Sequence, residues 1–302
     1  MSKSYLKLLL AISLISNSQL TFTQWFDPQT LQATVLLEKI ENNRYIPHGT
    51  GILFYNYDNP KDYIVVTCAH LIKGKDVISV RVNPDSTLLH NIAGIGNKSV
   101  VINNAIISKH SIRFIAALGE KDKYINSELD IAAFKLKVSK LKSTNDSVFY
   151  DLSKLRGVPK SALDYRNDLQ LGDELYFIGF PLGYGVSEIV EPIVRSGSIS
   201  WLPSNQDTFL IDAFSYGGNS GSPIFRKMII AAKPGNLEWT PLKLMGMIVG
   251  HHSMKIENML TLPNPNELRF DTTDMDINIG LAKCVYVDDI MDVIRELLRL
   301  NE

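Results

Sequence analysis

Short β-branched and aromatic runs, each closed by a cluster of turn residues, recur along most of this 302-residue chain and constrain its fold more than any other feature. They read as strands at 34–39, 51–55, 63–67, 77–82, 131–136, 174–180, 209–211 and 245–249. Clusters such as Asn56-Tyr57-Asp58-Asn59-Pro60 separate them. That spacing suits antiparallel sandwiches or barrels and argues against alternating strand–helix units around a parallel sheet. One true helix is predicted, over 288–300, with Asp288 placed to cap it. Ile290, Val293, Ile294, Leu297 and Leu298 fall on one apolar face. The expected class is therefore all-β with a terminal helical brace.

Composition narrows the partners. The 31 basic and 32 acidic residues nearly cancel, and no basic stripe or nucleic-acid motif is present, so a polyanion is not an expected partner. At the amino terminus, Lys3 and Lys7 precede the apolar stretch from Leu8 to Ser16, and small residues follow through Ser18. This is the layout of a secretory leader, predicted as 1–18 with a mature start near Gln19. The apolar stretch is well short of the roughly 20 residues a membrane span needs, so no stable anchor is expected after cleavage. Cys68 and Cys284 lie in different halves of the chain and read as buried free thiols, with a disulfide as the alternative.

The chemistry concentrates at Gly218-Asn219-Ser220-Gly221-Ser222-Pro223. A serine hydroxyl is a poor nucleophile without a base to take its proton and donors to hold the oxyanion that forms. Glycines around Ser220 let the chain turn so that amides converge beside it, and Gly218, Asn219 and Ser220 form the candidate oxyanion hole, with the amides of residues 218 and 220 as donors. The candidate base is His70, at the end of the buried-looking run Tyr63-Ile64-Val65-Val66-Thr67-Cys68-Ala69. Asp130 opens the apolar run Ile131-Ala132-Ala133-Phe134. A carboxylate so placed needs a partner, which His70 supplies.

These residues, in the order His, Asp, Ser, resemble the trypsin/chymotrypsin family of serine peptidases. Gly49-Thr50-Gly51 resembles that family's Gly-x-Gly strand. The HtrA/Deg branch is suggested by Leu171-Gly172-Asp173 running on to Ile178-Gly179-Phe180-Pro181-Leu182-Gly183, by Val194-Arg195-Ser196-Gly197-Ser198-Ile199-Ser200, by Asp212-Ala213, and by Ile279-Gly280-Leu281-Ala282. The resemblance covers most of residues 30–300. It implies a peptidase domain over 19–302, built of two antiparallel β-barrels at about 30–150 and 167–286, joined by a polar connector near 151–166. It further implies serine endopeptidase activity on protein or peptide substrates through an acyl-enzyme, with no cofactor and no metal, and the leader makes this an exported enzyme. A peptide-binding PDZ domain, usual in that branch, is not expected here, and oligomeric state is left open.

Departures from the pattern matter too. Asn219 stands where zymogens of the trypsin type have the aspartate that captures a new amino terminus, so no proteolytic activation is expected. Phe214 occupies the pocket-floor position that is aspartate in trypsin. With Val249, Gly250, His251 and Gly280 as candidate walls, it predicts a narrow apolar pocket for small or aliphatic residues. The segments 227–242 and 252–276 read as surface insertions. His48, His90 and His110 read as solvent-exposed, and His251-His252 would point to opposite faces of a strand, which defeats joint metal chelation. The alternative function is a catalytically inactive binding module on the same fold.

Overall fold

The structure, a computed structural model, describes residues 28–55, 63–82, 100–102, 105–107, 111–137, 155–186, 190–227, 229–233, 236–239, 242–256 and 275–300. The predicted leader, His90 and His110 lie outside the described residues. The chain is mostly β, in two lobes closed off by a carboxyl-terminal helix.

The first lobe is a nine-stranded antiparallel sheet curled into a half-barrel. It comprises β1 (Thr34–Glu41), β2 (Arg44–Tyr55), β3 (Tyr63–Cys68), β4 (Val77–Val82), β5 (Val100–Ile102), β6 (Ala105–Ile107), β7 (Ile112–Ala117), β8 (Lys123–Asn126) and β9 (Ile131–Leu136). Their spatial order is β5-β6-β7-β4-β1-β2-β3-β9-β8, so β5 and β8 are edges among the described residues. The continuous apolar run of β3 is explained by its place between β2 and β9, where all six residues are buried. Glu38 of β1, 1% exposed, accepts hydrogen bonds from Ser79 of β4 and Arg113 of β7, which compensates an otherwise costly buried charge.

The second lobe is a closed six-stranded barrel. Its strands are β10 (Glu174–Gly179), β11 (Ile193–Trp201), β12 (Thr208–Asp212), β13 (Pro223–Arg226), β16 (Lys243–Ile256) and β17 (Met275–Tyr286), in the order β10-β11-β12-β17-β16-β13. Phe177, Phe209, Ile224, Met245, Ile248 and Tyr286 fill it. The segment read as an insertion at 227–242 contains a small separate hairpin, β14 (Ile229–Lys233) and β15 (Asn236–Trp239). The described ends of the 252–276 segment prolong the β16–β17 hairpin beyond the barrel.

Three sequence expectations need correction. The connector is not a solvated polar link: Leu155, Val158 and Leu163 are buried, and Gly157 runs so close to the Phe54–Tyr55 backbone that a side chain there would collide with it. Besides the terminal helix there are two short α-helices among the described residues, α1 (Pro28–Gln32) and α2 (Ala69–Ile72). The terminal helix, α3 (Val287–Arg299), buries Val287, Ile290, Val293, Ile294 and Leu297, as its periodicity predicts. Asp288 is not its cap but a first-turn residue that accepts the Arg166 N–H at 2.9 Å. Although α3 follows the second barrel directly, it packs against β8, β9 and β16 and thereby ties the two lobes together.

Candidate active site

His70 is the second residue of α2, at the mouth of the first lobe, and Asp130 ends the turn between β8 and β9. The Asn126 side chain shapes that turn by accepting the N–H groups of Glu128 and Leu129, both at 3.1 Å. Asp130 itself sits at φ +57°, in the left-handed region where aspartate and asparagine are among the few tolerated residues. Three hydrogen bonds lock it to α2. Its carbonyl accepts the Ala69 N–H at 2.9 Å, its Oδ1 accepts the His70 N–H at 2.9 Å, and its Oδ2 meets His70 Nδ1 at 2.6 Å. The carboxylate is acceptor-only when ionised, so the ring proton belongs on Nδ1 and Nε2 is left as the acceptor.

Ser220 comes from the other lobe, in the turn before β13. Thr50, in β2, brings that turn to the first lobe. Its N–H donates to the Ser220 carbonyl at 2.9 Å and its hydroxyl to the Gly218 carbonyl at 2.7 Å, while that hydroxyl accepts the Phe180 N–H at 3.2 Å. Thr50 is half of a clamp that motif reading reduces to the middle of a Gly-x-Gly. Leu182 is the other half: its N–H donates to the Gly217 carbonyl at 2.6 Å from a backbone at φ +52°, unusual for a branched residue, while its side chain is 66% exposed.

With the carbonyls of Gly217, Gly218 and Ser220 all engaged, the orientation of the intervening peptides is fixed. The N–H groups of Gly218 and Ser220 have no acceptor among the described residues, as the donors of an oxyanion hole require. Asn219, grouped with them from sequence, does not share that role. Its N–H donates to the Tyr216 carbonyl at 2.9 Å, and its buried side chain makes no hydrogen bond among the described residues. Ser222 caps the turn by donating its N–H to the Asn219 carbonyl at 2.9 Å.

The Ser220 hydroxyl does not hydrogen-bond to the His70 ring. It lies by the Cys68 thiol, which donates to the Ile248 carbonyl at 3.3 Å and is within 4.8 Å of donor atoms of both His70 and Asp130. Hydroxyl and imidazole thus flank the same thiol, and such catalytic hydrogen bonds commonly tighten only when substrate binds. Cys68, His70 and Asp130 also form a three-donor cluster of the size a metal ion uses. It fits an ion poorly: the His70 and Asp130 donors already bond to each other, and burial pushes the Cys68 thiol far up, away from the thiolate a metal needs. Cys68 and Cys284 are both free and buried.

The candidate pocket residues lie in two places, Phe214 with Gly280 and the segment from Val249 to His251. Phe214, 49% exposed, lies against Gly280, whose φ of +82° falls in the left-handed region that favours glycine. The Ala213 N–H bonds to the Gly280 carbonyl at 2.8 Å, and the Asn278 side chain bridges Gly280 N–H and the Ser215 carbonyl. Arg195 holds Phe214 by donating to its carbonyl at 2.6 Å, with its guanidinium 5.3 Å from the Tyr216 ring centre. Asn278 and Arg195 carry no sequence signal for this task. Val249, Gly250 and His251 follow Ile248 along β16, beside the Ser220 turn. His251 and His252 are exposed, whereas His48 is not, contrary to expectation. It is half-buried, and desolvation, with Lys75 and Lys39 nearby, holds its imidazole below the ordinary range.

Comparison with known proteins gives two findings. Residues 49–228 match the profile of a family described as a trypsin-like peptidase domain. Among solved structures, the chain is similar to the apo MamO protease domain from Magnetospirillum magneticum, at 14% identity and a TM-score of 0.48, over 88% of this chain and 97% of that one. No curated protein matches it.

Proposed function

Since the chain belongs to the trypsin-like peptidase domain family, we propose that it is a serine endopeptidase with Ser220 as nucleophile, His70 as general base and Asp130 as the group that orients the imidazole. The observation that carries this reading is the pairing of a locked His70–Asp130 couple with two unengaged N–H groups flanking Ser220. His70 Nε2 takes the Ser220 proton as Oγ attacks the carbonyl. The oxyanion gathers its hydrogen bonds from Gly218 and Ser220, and the protonated imidazole then hands its proton to the leaving amine. Water repeats the sequence on the acyl-enzyme. The hole is already assembled around Asn219, without any ion pair to a new amino terminus, which favours activity without prior cleavage. The substrate chain lies as an added strand beside β16, starting at Val249.

Protein or peptide substrates, export through the leader 1–18 and kinship with the HtrA/Deg branch belong to the same reading. The exposed Phe214 ring supports a narrow apolar pocket for small or aliphatic residues. A peptide-library profile dominated by lysine and arginine would overturn that preference.

One observation favours the second reading, an inactive binding module: the Ser220 hydroxyl rests beside Cys68 rather than on His70. A fluorophosphonate probe separates the two. Protein collected outside the cells, starting near Gln19, is expected to be labelled as wild type and to stay unlabelled as Ser220→Ala. Equal labelling of both, or none of either, establishes the binding module.

A further inference from the structure

β16 is unusual in having two very different halves. From Lys243 to Met247 it is paired with β13, through Arg226↔Lys243 to Pro223↔Met247, and from Gly246 onward it is also paired with β17 on the other side. Ile248 makes the last bonds on the β13 side, accepting the Gly221 N–H at 2.8 Å and donating to the Ser222 carbonyl at 3.0 Å. Beyond it the strand continues to Ile256, held only by β17, through Gly250↔Lys283, His251↔Ala282, Ser253↔Asn278, Met254↔Ile277, Lys255↔Asp276 and Ile256↔Met275. Among the described residues no strand pairs with its opposite edge from Val249 to Ile256. That edge starts beside the nucleophile turn and runs for about 23 Å at about 3.3 Å per residue.

An unpaired row of N–H and C=O groups is a template for another strand, and a protein leaves one open only where it is short, shielded or used. Here the row is continuous with the cleft. Its first few residues are enough to hold the three residues nearest a scissile bond, so the prolonged arm, Ser253–Ile256 backed by 275–278, has pairing capacity left over. Of the two irregularities against β17, the one between Ile248 and Gly250 puts its extra residue, Val249, on β16 at the start of this edge. The one between His251 and Ser253 puts its surplus on β17, where Ile279, Gly280 and Leu281 bulge out, so the outer edge of β16 carries on from Gly250.

We propose that this arm is an extended substrate subsite, which pairs through main-chain hydrogen bonds with the fifth to eighth residues on the amino side of the scissile bond. Recognition there is by backbone, so the preferred substrate is a polypeptide with a segment of about eight extended residues before the cleavage point, whatever their side chains. Folded proteins and short peptides lack such a segment. The proposal rests on the Ser220 cleft being a peptide site, and goes beyond it in the length and conformation of what is bound.

The test uses peptides of one sequence with four, six and eight residues ahead of the intended scissile bond, the last of them small or aliphatic. Affinity for the Ser220→Ala protein, read by fluorescence anisotropy, is expected to rise about tenfold from four residues to eight, the worth of one or two net hydrogen bonds. Main-chain N-methylation at positions five to eight should remove that gain at alternate residues and spare those between. Affinity that is flat beyond four residues, N-methyl effects without alternation, or a dimer of the chain that pairs this edge and leaves peptide length irrelevant would each overturn the subsite. Because binding is read on the Ser220→Ala protein, loss of the subsite is distinguishable from loss of the peptidase reading, which shows only as failure of the wild type to cleave the four-residue member.

Discussion

Asp130→Asn is expected to lower kcat about ten-thousand-fold with KM changed little, by analogy with the same substitution in other Ser-His-Asp triads. The replacement keeps the shape of the side chain and tolerates the φ of +57° that the turn imposes, since asparagine enters the left-handed region as readily as aspartate. Its carbonyl oxygen can still accept the His70 N–H, and the Asp130 main-chain carbonyl still holds the Ala69 N–H. The change is at Nδ1. An amide nitrogen facing that atom donates where the carboxylate accepted, so the ring proton moves to Nε2, the atom that must take the proton of Ser220. The imidazolium formed during attack also loses its counter-charge. Steady-state kinetics on a peptide substrate, together with a thermal melt within a few degrees of wild type, checks both halves of the argument. A kcat within tenfold of wild type would mean that Asp130 does not govern the imidazole.

Much of this was legible because the relevant physics is local. Tyr63 to Thr67 is β-branched and apolar, and it is buried between two strands as such a run must be. The apolar stripe from Ile290 to Leu297 faces the core because its period matches a helix. His70, Asp130 and the Ser220 turn stood out because imidazole, carboxylate and glycine-flanked hydroxyl each sit next to features that are costly without a partner. What the sequence hid is nonlocal. Asn126 sets the turn before Asp130, Thr50 and Leu182 aim carbonyls of a turn some 30 to 170 positions away, and Arg195 and Asn278 hold the Phe214 and Ser215 carbonyls. Each is an ordinary residue for its local context, and only the packing of lobe on lobe gives it a task.

The missed strands have a similar cause. β5 and β6 are three residues each, too short for alternation to register, and β11 carries Ser196, Gly197, Ser198 and Ser200 among its apolar residues. The connector was misjudged because its buried residues, Leu155, Val158 and Leu163, are spread among polar neighbours and gain their burial from the seam they cross. The long arm of β16 and β17 was read as an insertion because composition there says nothing about pairing; register alone reveals it as strand.

Gly218→Ala is the second large effect expected, and it isolates the oxyanion hole from the triad. Gly218 adopts φ +95°, outside the range an L-residue holds comfortably, and an added methyl would overlap the Phe180 carbonyl oxygen and crowd the Leu182 nitrogen at 3.2 Å. Both obstacles are backbone, so neither can move aside cheaply. The turn must rotate instead, which pulls the Gly218 carbonyl from Thr50 and the Gly217 carbonyl from Leu182, and the second of these bonds aims the Gly218 N–H, which shares a rigid peptide plane with the Gly217 carbonyl. Loss of one donor costs about a hundred- to a thousand-fold in kcat in comparable enzymes. The His70–Asp130 couple lies in the other lobe and stays intact, so the pH dependence of the residual rate should match wild type. A donor that acts on the transition state alone makes a further demand: affinity for a peptide trifluoromethyl ketone, whose hemiketal oxyanion mimics the tetrahedral intermediate, should fall by about the same factor as kcat, while KM stays near its original value. If ketone affinity holds while kcat falls, the Gly218 N–H is not an oxyanion donor and the turn acts on Ser220 itself.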